Sequence, residues 1–367
     1  MTNPLRMTDA GFYCEAGGFH IDPWRPVARA LITHAHGDHA RSGSEAYLAA
    51  ADGLPLLRAR LDPSAHIETL AYGESRRIGA VDVSFHPAGH VLGSAQIRIA
   101  HADGVAVVSG DYKLAPDPTC AAFEPVACDL FVTESTFGLP IYRWDDPEVT
   151  LHAVLRWWED NRAAGRASML FAYALGKAQR ILCGLAALAD PLPGPIYAHG
   201  AVERINAAYR EARIAMPPTL RVMEAPAGTR FADALIVAPP SARGTRWQSR
   251  FDPLSSAFAS GWMALRGTRR RASLDRGFAF SDHADWPSLN TAIDASGAAQ
   301  VLVTHGYRDE MTRWLRERGI PAEAVDTRFE GETMEAPGVA DADAAAALVV
   351  ADPDAARHGS GDPAEAG

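Results

Sequence analysis

The stretch Thr33-His34-Ala35-His36-Gly37-Asp38-His39 decides how the rest of this chain is read. It follows Ala30–Thr33 (ALIT), a short apolar run that reads as a strand stopping at a polar cluster. Three imidazoles and one carboxylate fall within six consecutive residues. A tight loop there can point His34 and His36 to one side and Asp38 and His39 to the other. Neutral imidazole and carboxylate are donors that suit Zn, and also Mn or Fe. The bland alternative is a chance histidine-rich loop, and the length of the HxHxDH pattern argues against it.

One loop does not supply enough donors for a pair of metals, and further candidates stand at the ends of other strand-like runs. Asp111 follows Val105–Ser109 (VAVVS) and Gly110, a residue that lets the backbone turn sharply. His305 follows Val301–Thr304 (VLVT) and precedes Gly306; His90 lies in Ala88–Ser94 (AGHVLGS). Functional side chains held at strand ends are a common way to build a rigid site. Leu130–Thr133, Met169–Tyr173 and Leu235–Ala238 also read as strands. Helical periodicity fits Pro147–Ala164, Gly176–Ala189, Val202–Arg213 and Arg308–Arg318, the last ending at Gly319. Strands interleaved with helices predict an α/β or layered αββα plan.

The chain has 367 residues, 47% of them apolar and 22% charged, which excludes a disordered or fibrous chain as the main state. No apolar run is long enough for a membrane helix, and the N-terminus lacks the pattern of a secretory signal. Cys14, Cys120, Cys128 and Cys183 form no CxxC pair and read as reduced core thiols of a cytoplasmic protein. The net charge of −10 argues at first against a polyanionic partner. Its distribution changes that reading. Residues 331–367 hold eight acids and one arginine, whereas 241–276 hold eight arginines and two aspartates. Local potential, not the average, decides whether a polyanion docks. Beyond about Val339 the Ala- and Asp-rich tail is expected to be loosely ordered.

HAHGDH (34–39), AGHVLGSA (88–95) and SGDYK (109–113), in this order, resemble the metallo-β-lactamase fold. The resemblance implies that His34, His36, His90 and Asp111 bind one metal. It gives the second metal Asp38, His39, the bridging Asp111 and His305, and matches Asp22 to a buttress beneath the site. TESTFG (133–138), FSDHAD (280–285) and VTHG (303–306) are similar to the three motifs of the β-CASP nucleases, whose cap domain is specific to nucleic acid. The 194 residues between Asp111 and His305 leave room for such a cap. The implied plan is a first metallo-β-lactamase part over 1–140, a β-CASP cap over 141–275, a second metallo-β-lactamase part over 276–338 and an acidic tail over 339–367. FAYALGKAQ (171–179), SGWM (260–263) and DRGF (275–278) resemble the bacterial DNA-ligase-associated exonucleases more narrowly.

The expected protein is therefore a two-metal phosphodiesterase with Zn preferred over Mn, acting on DNA in preference to RNA. An ATP-dependent DNA ligase and a helicase are its implied partners, with no membrane. His283 is the expected proton donor, oriented by Glu134, and Asp38 joins them as a catalytic residue. Lys177 and Gln179, at the start of a helix, and Arg269, Arg270 and Arg271 are expected to contact substrate phosphates. The other readings are an RNA-processing ribonuclease, a thioester or lactam hydrolase of the same fold, and a non-catalytic binding subunit. His86 and His199 read as packing or surface histidines, and Trp157 and Trp158 as core.

Overall fold

The computed structural model describes residues 4–226, 228–265 and 274–328. Described residues belong to the unit Met1–Thr333. Arg269, Arg270, Arg271 and the 339–367 tail lie outside them.

Nineteen strands form three sheets among the described residues. In the first, β1 (Leu5–Thr8), β2 (Gly11–Cys14), β3 (Phe19–Ile21), β4 (Arg29–Ile32), β5 (Ala46–Ala50) and β6 (Ile67–Leu70) lie in chain order. The second contains β7 (Ser75–Ile78), β8 (Val81–Pro87), β9 (Ala95–His101), β10 (Gly104–Val108) and β11 (Leu130–Thr133). Two late strands, β18 (Gln300–Val303) and β19 (Ala322–Ala324), complete it in the order β19-β18-β11-β10-β9-β8-β7. Its β10, β11, β18 and β19 are parallel, and the inner three carry continuous rather than alternating apolar runs.

Alternation assigns the two faces of these strands. Leu31, Ala106, Val108, Leu130, Val132 and Leu302 point into one core shared by the first two sheets. The interleaved Val107, Phe131, Val301 and Val303 pack instead against Leu289 and Ile293 of the 286–296 helix and Met311 and Leu315 of the 308–317 helix. On the far side, Ala30, Ile32, Tyr47 and Ala49 pack on Leu56 and Leu57 of the 54–60 helix and on Tyr209. The third sheet is wholly parallel, with strands from β12 (Ala167–Phe171) to β17 (Arg276–Phe278). One of its faces packs on Leu151, Val154 and Trp158 of the 147–163 helix and on Ile181 and Leu182 of the 177–188 helix. Asp146 caps the 147–163 helix by accepting from Glu148 N at 2.9 Å, with Pro147 at its first position.

The fold brings β4, β10, β11 and β18 to adjoining places, so the loops at their C-terminal ends meet. Gly110 turns the chain after β10 in the left-handed region, with φ +57°. A Cβ there would lie 2.7 Å from Thr33 Cβ and Oγ1. Gly110→Ala is expected to lose about 1–3 kcal/mol of stability, from backbone strain and the displaced Thr33. A urea midpoint unchanged from the parent would contradict this.

Candidate metal centre

Five imidazoles in this site each have one nitrogen committed to the protein, which settles where the other points. Asp22 accepts from Thr33 N at 2.8 Å and from Thr33 Oγ1 at 2.5 Å. Having donated its proton, Thr33 Oγ1 accepts from His34 Nδ1 at 3.0 Å, leaving His34 Nε2 with a lone pair. The backbone carbonyl of Leu175, 3.2 Å from His36 Nε2, can only accept, so His36 presents Nδ1. By the same logic the Asp282 carbonyl, 2.9 Å from His90 Nδ1, makes His90 present Nε2. These three outward nitrogens converge: His36 Nδ1 lies 3.1 Å from both His34 Nε2 and His90 Nε2. With Asp111 they are mutually within 4.8 Å.

The second half of the site is built around Asp111. His39 gives Nδ1 to Asp22 at 2.8 Å, and its Nε2 stands 3.6 Å from Asp111 Oδ2 and 3.7 Å from Asp38 Oδ2. Thr304 Oγ1 donates to Thr133 O and so accepts from His305 Nδ1; His305 Nε2 meets Asp111 Oδ1 at 2.8 Å. Asp22, at the base of both halves, has the unusual φ of +42°, so the backbone bends to deliver its carboxylate. Glu134 lies close enough to join Asp111 and His305 in a second donor group. Its carboxylate is already engaged, accepting from Tyr112 N at 2.8 Å and from His283 Nδ1 at 2.9 and 3.1 Å.

The electrostatics match this division. Burial, reinforced by the neighbouring imidazoles, holds His34 and His90 well below the ordinary imidazole value, so both are neutral donors. Burial also lowers His36. Burial works against charge on His39 too, but Asp38, Asp111 and Asp22 outweigh it and hold its pKa up to about 10. Burial would raise Asp111, yet His39, His305 and His283 keep it ionised well below the usual carboxylate range. The pocket thus sets lone pairs face to face and clusters carboxylates behind them. Such a donor set fits divalent cations, whose binding would relieve both repulsions.

His283 stands beside this centre, its ring centroid 4.7 Å from that of His90. Burial alone would lower its pKa; the Glu134 and Asp111 carboxylates raise it instead. With Nδ1 on Glu134, its Nε2 is the nitrogen left to face the site.

Lys177 and Gln179 do not sit where a phosphate-facing pair should. Gln179 is fully buried, and its amide is spent on Gly176 N, Ala174 O and Asn206 Oδ1. Lys177 is buried as well, over the Tyr173 ring and 3.6 Å from Asp282 Oδ2. Burial, only partly opposed by Asp282, brings its pKa down to about 8. The helix does begin at Lys177, but its first turn faces inward. Reading the sequence also missed a buried ionic cluster. Asp117 holds Lys113 at 3.0 Å and Arg180 at 3.2 Å, and Arg180 reaches Asp282 Oδ1 at 3.3 Å. Asp282 was adjacent to a recognised histidine, and that was its only signal.

No protein-family model matches the chain. It is 31% identical over 317 residues to a probable DNA ligase of Opitutus terrae, a match covering 86% of this chain and 30% of that one. Ribonuclease TTHA0252 of Thermus thermophilus is 30% identical over 212 residues, covering 49% and 47%. Cleavage and polyadenylation specificity factor 73 of Drosophila melanogaster is 32% identical over 119 residues, covering 32% and 17%. The chain thus spans less than half the length of each of these curated relatives. These relationships and the histidine–aspartate site define a metallo-β-lactamase-fold protein. Within that class, the chain belongs to the β-CASP nuclease family.

Among the described residues, no helix is long and apolar enough to cross a membrane.

Proposed function

We propose that the chain is a two-metal phosphodiesterase that hydrolyses nucleic acid, most readily DNA from an end. The observation that carries this reading is the convergence of His34, His36 and His90 with Asp111, beside a His283 locked onto Glu134. Asp38, His39, Asp111 and His305 would hold the second ion, and the imidazole-rich donor set favours Zn over Mn. Divalent ions held there would supply Lewis-acid activation of a phosphodiester and of a water nucleophile. His283 gives its Nε2 proton to the departing oxygen, and Glu134 holds Nδ1 so that the ring keeps this orientation. Asp22 fixes His39 and, through Thr33, His34. Asp38 completes the anionic wall that the second ion requires.

In architectural terms we read the first two sheets and their helices as an αββα sandwich, and the third sheet as the cap. Because Arg276–Phe278 pairs within the third sheet, the cap is better drawn over 141–278 than 141–275. The second metallo-β-lactamase part then starts near 279. Arg269, Arg270 and Arg271 remain candidates for phosphate contact. The preference for DNA rests on the DNA ligase name of the relative that matches 86% of this chain, which also makes a ligase, and with it a helicase, the expected partners in a cytoplasmic repair pathway. RNA processing is the second reading, favoured by the ribonuclease relative. Digestion of 5′- and 3′-labelled single- and double-stranded DNA and RNA, with Zn or Mn, separates them. Stepwise shortening of DNA supports the proposal. Cleavage of RNA alone transfers it to the second reading, and no cleavage of either removes the nuclease reading.

A further inference from the structure

We propose that Gln179 and Arg180, adjacent on the first turn of the 177–188 helix, are positioning residues that fix which ring nitrogens His36 and His90 present to the metal centre. The inference rests on the metal-site reading above and adds residues that contact neither substrate nor metal.

Each acts through one backbone carbonyl. Gln179 brackets Leu175: its Oε1 accepts from Gly176 N at 2.8 Å and its Nε2 donates to Ala174 O at 3.0 Å. The carbonyl between them is the one that takes the His36 Nε2 proton. Arg180 anchors the other loop. Its Nη1 donates to Ser281 O at 2.5 Å and reaches Asp282 Oδ1 at 3.3 Å, while its Nε lies 3.2 Å from Asp117 Oδ2. The next carbonyl, that of Asp282, takes the His90 Nδ1 proton. The loop that carries Leu175 is also pressed against the one that carries His90. Gly176 has φ +92°, and a Cβ there would lie 2.3 Å from Val91 Cγ1, next to His90. Both side chains are buried.

A neutral imidazole chooses between two tautomers of similar energy, and the wrong one turns an N–H toward a cation. Outer partners of this kind commonly set metal affinity by roughly 10–100-fold. Here both belong to one helix, so the third-sheet region sets the ligands of a centre built mainly on the first two sheets.

The test uses the full chain. Apparent Zn affinity is measured by chelator competition for the parent, Gln179→Met, Arg180→Lys and Lys113→Met, alongside the melting temperature of each metal-free protein. Lys113 shares Asp117 with Arg180 but holds neither carbonyl. Gln179→Met and Arg180→Lys are expected to bind Zn roughly 10–100-fold more weakly. Lys113→Met is expected to lose melting temperature without that loss. Equal weakening in Lys113→Met, or parental affinity in the other two, overturns the proposal. Long-range ¹⁵N–¹H spectra of the metal-free parent provide a readout that needs no variant. They should show His36 protonated at Nε2 and His90 at Nδ1; the opposite tautomers overturn the proposal. A parent that binds no Zn but shows these tautomers would instead remove the metal-site reading alone.

Discussion

Asp111→Asn is expected to reduce nuclease activity by about 10³-fold and to lower the metal content of the purified protein. The two carboxylate oxygens face different partners. Oδ1 meets His305 Nε2 at 2.8 Å, and Oδ2 lies 3.5 Å from His34 Nε2, 3.6 Å from His39 Nε2 and 3.8 Å from His90 Nε2. An amide keeps the shape, so the fold should survive. It also removes the negative charge, and a neutral amide is a much weaker ligand for a divalent cation than a carboxylate. On the proposed two-metal reading both halves of the site would lose a shared ligand at once, which is why the effect should exceed that of removing a peripheral histidine. Metal analysis beside a labelled-oligonucleotide assay checks this. Near-parental turnover with two metals per chain would contradict a bridging role.

His283→Ala should give a different signature: turnover reduced by about 10²-fold or more with metal content retained. His283 stands beside the centre with Nδ1 held by Glu134, so on the proposed reading its loss would remove a proton donor rather than a ligand. The pH profile sharpens the point. A general acid works only while protonated, so activity falls as pH rises through the His283 pKa, which is raised chiefly by Glu134 among its favourable neighbours. Glu134→Gln should therefore move the alkaline limb of kcat to lower pH. An unmoved limb would assign that limb to another group.

The candidate donors were legible in the sequence because the HxHxDH loop is dense and Asp111 and His305 follow strand-like runs. Those strands were legible because parallel strands buried on both faces are apolar throughout: Leu130–Thr133 and Leu235–Ala238 have the expected bounds. The edge of the second sheet was not. Its Ser75–Ile78 strand buries only Ile78 and carries two arginines, so it has no apolar signature. The 286–296 helix had readable ends: Asp285 accepts from Ser288 N at 3.0 Å, Pro287 follows, and Gly297 closes it in the left-handed region. Those signals were overshadowed by the neighbouring histidine motif. Gln179 and Lys177 show a different limit. Sequence identifies the start of a helix, but the side that meets another loop is a tertiary fact. Arg180, Asp117 and Asp282 were illegible for the same reason, with partners separated by 102 residues in the case of Arg180 and Asp282.

Anomalous diffraction at the Zn edge, on crystals of the Zn-loaded chain, is the most direct measurement of the central claim. Two peaks are predicted, one enclosed by His34, His36 and His90 and the other by Asp38, His39 and His305, with Asp111 reaching both. A single peak, or none within reach of Asp111, would contradict it.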